Sequence, residues 1–293
     1  MSIVEQALER VKGTAEDGRI TPSRPKQPLL VPGPAAAEHR FESITIDYKA
    51  LEDAGLMPTA SARVRTVDAF RRIKWPIVRA SFSPNGAGHG HSNLVLVTSS
   101  LPDEGKSFIS VNLAFSIALE RDCGVILVDA DLAKPHISEV FGVRNKRGLT
   151  DLLTGRETDP AKVLLATDTP GFRLLPAGTP DPSAPELLAS QRMHELLEWL
   201  RENCSDCIVL FDSPPLLATN EAQVLAQSAG QILLVICADR TSQADVKEAV
   251  ALIEDGKSIK CVLNQVNWIT SGNRYGGYYG EGFGSKSDTS RRS

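Results

Sequence analysis

Short aliphatic runs with almost no polar interruption recur through the middle of this chain, and helix-length stretches separate them. LVLVTS from Leu94 precedes a helical pattern over Phe108 to Arg121, and VILVDAD closes on Asp129 and Asp131. Further along come CIVLFDSPP with Asp212, then QILLVICAD, a helical stretch from Thr241 to Glu254, and IKCVLNQ with Asn264. Strands apolar at every position are covered on both faces, and strands spaced a helix apart pair in parallel through crossovers. The pattern predicts an α/β fold with a mostly parallel sheet and helices on both faces. In such a sheet ligands bind at the carboxyl ends of the strands.

The 293 residues are 42% apolar, enough for a substantial core. A net charge of -4, with both signs mixed along the chain, gives no electrostatic footprint for nucleic acid. Five irregularly spaced cysteines do not make a disulfide framework, and the first thirty residues lack the apolar core of a signal peptide, so a reducing cytoplasm is expected. The longest apolar runs, such as Ile232 to Ala238, fall far short of the roughly 20 residues that span a bilayer. Membrane association is therefore expected only through a partner.

Four regions are expected. Residues 1–40 carry Pro22, Pro25, Pro28, Pro32 and Pro34 with few large apolar side chains, the composition of a disordered leader. Residues 41–92 contain an extended run over Phe41 to Tyr48, a helix striped by Val64, Val67, Phe70 and Ile73, and the linker SFSPNGAGHGHSN. The alternating pattern fills 93–268. The tail, 269–293, is rich in Gly and Ser and holds Tyr275, Tyr278 and Tyr279, three of the four tyrosines.

LVLVTS runs into Ser100, Leu101, Pro102, Asp103, Glu104, Gly105, Lys106 and Ser107, and then into a helix beginning near Phe108. This is the order a phosphate-binding loop needs. Backbone N–H groups at the helix start face phosphate, Lys106 offsets its charge, and the Ser107 hydroxyl suits magnesium. Ser100 stands where the general pattern has its first glycine. Asp129, Asp131 and Asp212, each at or just past a strand end, converge on the same rim and make an ATP–magnesium site. Asp212 is expected in the magnesium shell, with Asp129 and Asp131 to orient its waters or to accept a hydroxyl proton. Asn264 at another strand end is either an adenine contact or a simple turn residue.

These motifs resemble the bacterial tyrosine kinase family, built on a P-loop NTPase fold of MinD/ParA-like architecture, over roughly residues 60 to 280. SSLPDEGKS matches the family loop, Ser100 included, with Asp103 in place of a glycine. Asp129-Ala130-Asp131-Leu132-Ala133-Lys134-Pro135 matches the second motif except at Ala133, where the family has Arg. LVDADLAKP, LPAG, ELLAS, FDSPPLLAT and ADRT look most like the autokinases associated with exosortase-type exopolysaccharide systems. The resemblance implies an ATP- and Mg2+-dependent protein-tyrosine autokinase with Lys106, Asp129, Asp131 and Asp212 catalytic. The loop from Pro102 to Phe108 and Asn264 would bind nucleotide, and Ser107, Asp129 and Asp212 the metal. It also implies a ring-like homo-oligomer joined through a helix on which Asp68, Arg71 and Lys74 replace a Glu-x-x-Arg-x-x-Arg pattern. Lys cannot reproduce the bidentate pairing of Arg. The resemblance further implies phosphorylation of Tyr275, Tyr278 and Tyr279 on a neighbouring subunit and a membrane chain-length partner, the polysaccharide copolymerase. Rival readings are a MinD/ParA-type ATPase that releases phosphate to water and a nucleotide-gated adaptor. Cys204 and Cys207 read as packed thiols, and His89 and His91 as solvent-exposed loop residues.

Overall fold

The computed structural model describes residues 41–82, 93–254 and 256–266. The leader 1–40, the linker with His89 and His91, and the tail with Tyr275, Tyr278 and Tyr279 lie outside the described residues.

The five aliphatic runs form β2 (Leu94–Ser99), β3 (Gly124–Asp129), β6 (Cys207–Asp212), β7 (Gln231–Cys237) and β8 (Ser258–Asn264). Three short strands with no such signature complete the sheet: β1 (Glu42–Ile44), β4 (Leu165–Thr167) and β5 (Phe172–Leu175). Their order is β1-β4-β5-β3-β6-β2-β7-β8, and every neighbouring pair is parallel except β4 with β5. The helices between them are α1 (Tyr48–Asp53), α2 (Arg63–Ser81), α3 (Lys106–Ala118), α4 (His136–Val140), α5 (Leu149–Thr154), α6 (Ala184–Leu188), α7 (Gln191–Asn203), α8 (Asn220–Ser228) and α9 (Gln243–Ala251).

Side chains alternate across the central strands and sort into two cores. Leu94, Leu96, Ile126, Val128, Val209 and Phe211 face one way, onto Leu149, Leu196, Leu200 and Leu225 of α5, α7 and α8. Val95, Val97, Val125, Leu127, Ile208 and Leu210 face the other way, onto Ile77 of α2 and Ile109, Leu113 and Ile117 of α3. Burial on both faces is what the unbroken aliphatic runs demanded.

The segment before Asn93 joins this body. β1 pairs with β4, and α2 lays Phe70 and Ile77 into the second core, so residues 41–82 share the sheet and core of the strands that follow. The expected stripe on α2 is only half used: Val64 and Val67 are 76% and 40% exposed, whereas Phe70 is buried and Ile73 packs against the second core. The buried face begins where α2 first meets α3. Lys74 does not lie on a solvated face. Its ammonium pairs with Glu120 at 2.6 Å and donates to the Ser116 carbonyl at 2.9 Å, while Asp68 and Arg71 form an exposed pair within the helix at 3.2 Å. Cys204 and Cys207 are buried free thiols, pushed up to about 11 and about 12 by burial. Among the described residues no helix is long and apolar enough to cross a membrane.

Candidate nucleotide-binding and phosphoryl-transfer site

The register pairs Val97 with Asp212 and Asp129 with Asp212, so β2, β3 and β6 end side by side. The loop after β2 rises over this edge and α3 begins at Lys106. Gly105 turns the chain with φ 89°, and Asp103 also has positive φ, 60°. Aspartate is among the few residues that enter the left-handed region readily. It can therefore stand where a glycine is usual, and its side chain is exposed on the cleft wall.

Three successive loop carbonyls are held from the far side by the ends of β7 and β8. Arg240 donates to the Pro102 carbonyl at 3.1 Å, Gln265 to that of Asp103 at 3.2 Å, and Asn264 to that of Glu104 at 2.9 Å. The fully buried Glu104 carboxylate accepts the Leu101 N–H at 3.0 Å and the Thr241 hydroxyl. With its carbonyls drawn back in this way, the loop is braced in the orientation that presents backbone N–H groups to an anion.

Below the loop, the Ser107 hydroxyl donates to one oxygen of Asp212 and the Ser110 hydroxyl to the other, both at 2.7 Å. Burial pushes Asp212 up to about 6 against these two bonds. Asp129 is also fully buried. One of its oxygens accepts the Ser138 N–H at 2.7 Å and the Ser138 hydroxyl at 2.6 Å, and the other has no hydrogen-bond partner. Burial, with the charges of Asp212 and Asp131 added, carries it up to about 7 despite Ser138. Asp131 is raised by burial too, though the Lys134 N–H and the charges of Lys106 and Lys134 pull it back.

A cleft of about 620 Å3 opens over this edge. Pro102, Asp103, Lys106, Ser107 and Asp131 line it, together with Lys134, His136 and Arg144. The remaining expected site residues lie elsewhere. Asp129 and Asp212 sit beneath the cleft, Glu104 points into the loop's own brace, and Phe108 packs inward with its ring 6.0 Å from that of Phe70. Asn264 reaches the loop, where its amide is bonded to Glu104. The sequence reading missed Arg240, Thr241 and Gln265 as the brace, Ser110 and Ser138 as carboxylate partners, and His136 and Arg144 as cleft-lining residues. The position of Lys134 and His136 just after the paired acids was a usable signal. Arg144 had none.

The donor set suits magnesium, which takes hard oxygen atoms, few protein ligands and several waters. Asp212, the Ser107 hydroxyl bonded to it, and the unpartnered oxygen of Asp129, which is paired in register with Asp212, provide such atoms.

No family model matches the chain. The solved kinase domain of VpsO superimposes with a TM-score of 0.60 at 31% identity, covering 72% of this chain and all of that domain (100%). The chain belongs to the bacterial tyrosine kinase family. The kinase domain of the Escherichia coli tyrosine kinase ETK superimposes with a TM-score of 0.58 at 29% identity, over 69% of this chain and 77% of that one. A Klebsiella pneumoniae relative, whose name makes it a tyrosine-protein kinase in a cps region, is 35% identical over 177 residues, 60% of this chain. The chain spans only 24% of that relative's length. The family's P-loop NTPase fold is the one described above.

Proposed function

We propose that this chain is an ATP- and magnesium-dependent protein-tyrosine kinase domain that phosphorylates its own tail tyrosines. The observation that carries the reading is the bond from Ser107, at the loop–helix junction, to Asp212, with Lys106 and Asp131 facing the same cleft. Bound magnesium would supply charge neutralisation at the β- and γ-phosphates. Asp212 holds the Ser107 hydroxyl in place, Lys106 offsets negative charge on the transferring group, and the braced loop presents its N–H groups. Asp131 lines the cleft and Asp129 does not, which supports Asp131 as the base in this reading. The tyrosine oxygen bonds to the γ-phosphorus as the bond to the β,γ-bridging oxygen breaks. The phenolic proton passes to Asp131, and ADP leaves. Lys134 and Arg144 add positive charge to the same cleft.

The family resemblance supports a role in regulating exopolysaccharide synthesis or export, a ring-like homo-oligomer acting in trans, and attachment to the inner membrane face through a chain-length partner. LPAG, ELLAS and FDSPPLLAT support the exosortase-associated branch. Incubation with labelled ATP and magnesium should place phosphate on tyrosine in the wild-type chain, and not in the chain with Tyr275, Tyr278 and Tyr279 changed to Phe. Equal labelling of both would sink the tail as acceptor. ATP turnover without phosphotyrosine would favour a positioning ATPase.

A further inference from the structure

A second depression opens on the same rim. It shares Ala133 and Pro214 with the phosphate cleft, so those two residues form a partition between them. Its volume is about 480 Å3, and Leu132, Leu188, Pro180 and Pro182 give it apolar walls. A flat aromatic ring is well matched to such walls.

Two carboxylates stand in this otherwise apolar pocket. Asp181 is already compensated, since Arg156 lies 2.7 Å from it and the Ser183 hydroxyl donates to it at 2.6 Å. Glu221, in the first turn of α8, is half-buried and has no hydrogen-bond or ion-pair partner among the described residues. Its charge is felt at Asp131. Asp131 lines the phosphate cleft, while its chain neighbours Ala130 and Leu132 line the second pocket. A hydroxyl held at the mouth of this pocket would therefore lie beside the turn that carries the proposed base.

Resting on the kinase reading above, we propose that this pocket seats the acceptor tyrosine and that Glu221 selects a tyrosine preceded by a basic residue. Its occupant is the tail segment Arg274-Tyr275. Of the three tail tyrosines only Tyr275 follows a cation, whereas Tyr278 and Tyr279 are followed by Glu281. A lone half-buried carboxylate attracts the first and repels the second. The described chain ends at Val266, just past β8, and nine residues on to Tyr275 reach about 30 Å when extended. β8 and β3 are four strand spacings apart, about 19 Å across the sheet. The tail is long enough to cross that distance within one copy.

The test uses the full chain with all three tail tyrosines changed to Phe as enzyme, and the peptides SGNRYGG and SGNEYGG as acceptors. The enzyme should prefer the Arg peptide by about tenfold in kcat/KM. Adding Glu221→Lys should erase or invert that ratio, whereas Glu254→Lys, an exposed charge reversal outside the pocket, should leave it intact. A ratio taken with one enzyme cancels any loss common to both peptides. Ample phosphotyrosine on both peptides with the same ratio for Glu221→Lys would overturn the pocket and leave the kinase reading standing. No phosphotyrosine on either peptide while the wild-type tail is phosphorylated would overturn the pocket alone, and none on the wild-type tail either would overturn both.

Discussion

At the scale of single residues, the loop depends on positions where only one side chain fits. A Cβ on Gly105 would lie 2.1 Å from the Asn264 amide nitrogen, on backbone with φ 89°. Gly105→Ala should cost about 1–3 kcal/mol and weaken nucleotide binding, read by thermal unfolding and by titration with an ATP analogue. Because Asn264→Ala also removes the bond to the Glu104 carbonyl, the comparison is made in that background, where Gly105→Ala should cost less than it does in the wild type, the collision being gone and the positive φ remaining. An equal cost of Gly105→Ala in both backgrounds would show that the collision is not the cause. Lys106 lines the cleft and supports no described element. Lys106→Met should lower phosphotyrosine formation by about a hundredfold or more with little change in melting temperature. A large stability loss would mean that Lys106 is structural.

At the scale of elements, α2 and α3 are joined by packing and by one cation. Lys74 is 12% exposed and holds both Glu120 and the Ser116 carbonyl at the carboxyl end of α3, where a positive charge is favoured by the helix dipole. Glu120 is 42% exposed, so solvent screens the ion pair and the carbonyl contact carries much of the effect. Lys74→Ala should cost about 1–2 kcal/mol in urea unfolding. Arg71→Ala, which removes the exposed pair with Asp68, should cost under about 0.5 kcal/mol. Equal costs would refute this division. The family resemblance had put Asp68, Arg71 and Lys74 on a helix that joins subunits. Only the docking of α2 shows that Lys74 is committed within the chain.

Across the whole molecule, the sheet places two carboxylates where neither is readily ionised. Asp129 and Asp212 are raised to about 7 and about 6, chiefly by burial, against roughly 4 in an unfolded chain. The folded state thus binds protons more tightly than the unfolded one between those limits. This contribution to stability is full below about pH 4 and is lost as pH rises through 6 to 7. Asp151 acts in the opposite direction. Burial would raise it, but the Thr179 and Gly148 N–H groups outweigh that effect, so its contribution is lost as pH falls below the carboxylate range. Without nucleotide, melting temperature should therefore peak near pH 5 and fall toward pH 8. Asp129→Asn should flatten the fall, and magnesium with an ATP analogue should offset it at pH 8. A melting temperature that rises steadily from pH 5 to pH 8 would show both acids ionised in the empty protein.

Much of this was legible in the sequence, for identifiable reasons. The runs that became β2, β3, β6 and β7 are fully or nearly fully buried, so their composition announced a covered sheet, and GKS at a strand–helix junction announced its ligand. β1 lay within the extended run expected over Phe41 to Tyr48, but β4 and β5 did not announce themselves, because three or four residues carry too little periodicity, and the partner of β1 lies more than a hundred residues away. The sequence by itself determined the α/β class, the loop and the strand-end acids, since each is written in a contiguous stretch. Tertiary structure alone decided which acid faces the cleft, that side chains from two other strand ends brace the loop, and that a second pocket lies across Ala133 and Pro214. Those are distances between parts of the chain remote in sequence, and no local pattern encodes them.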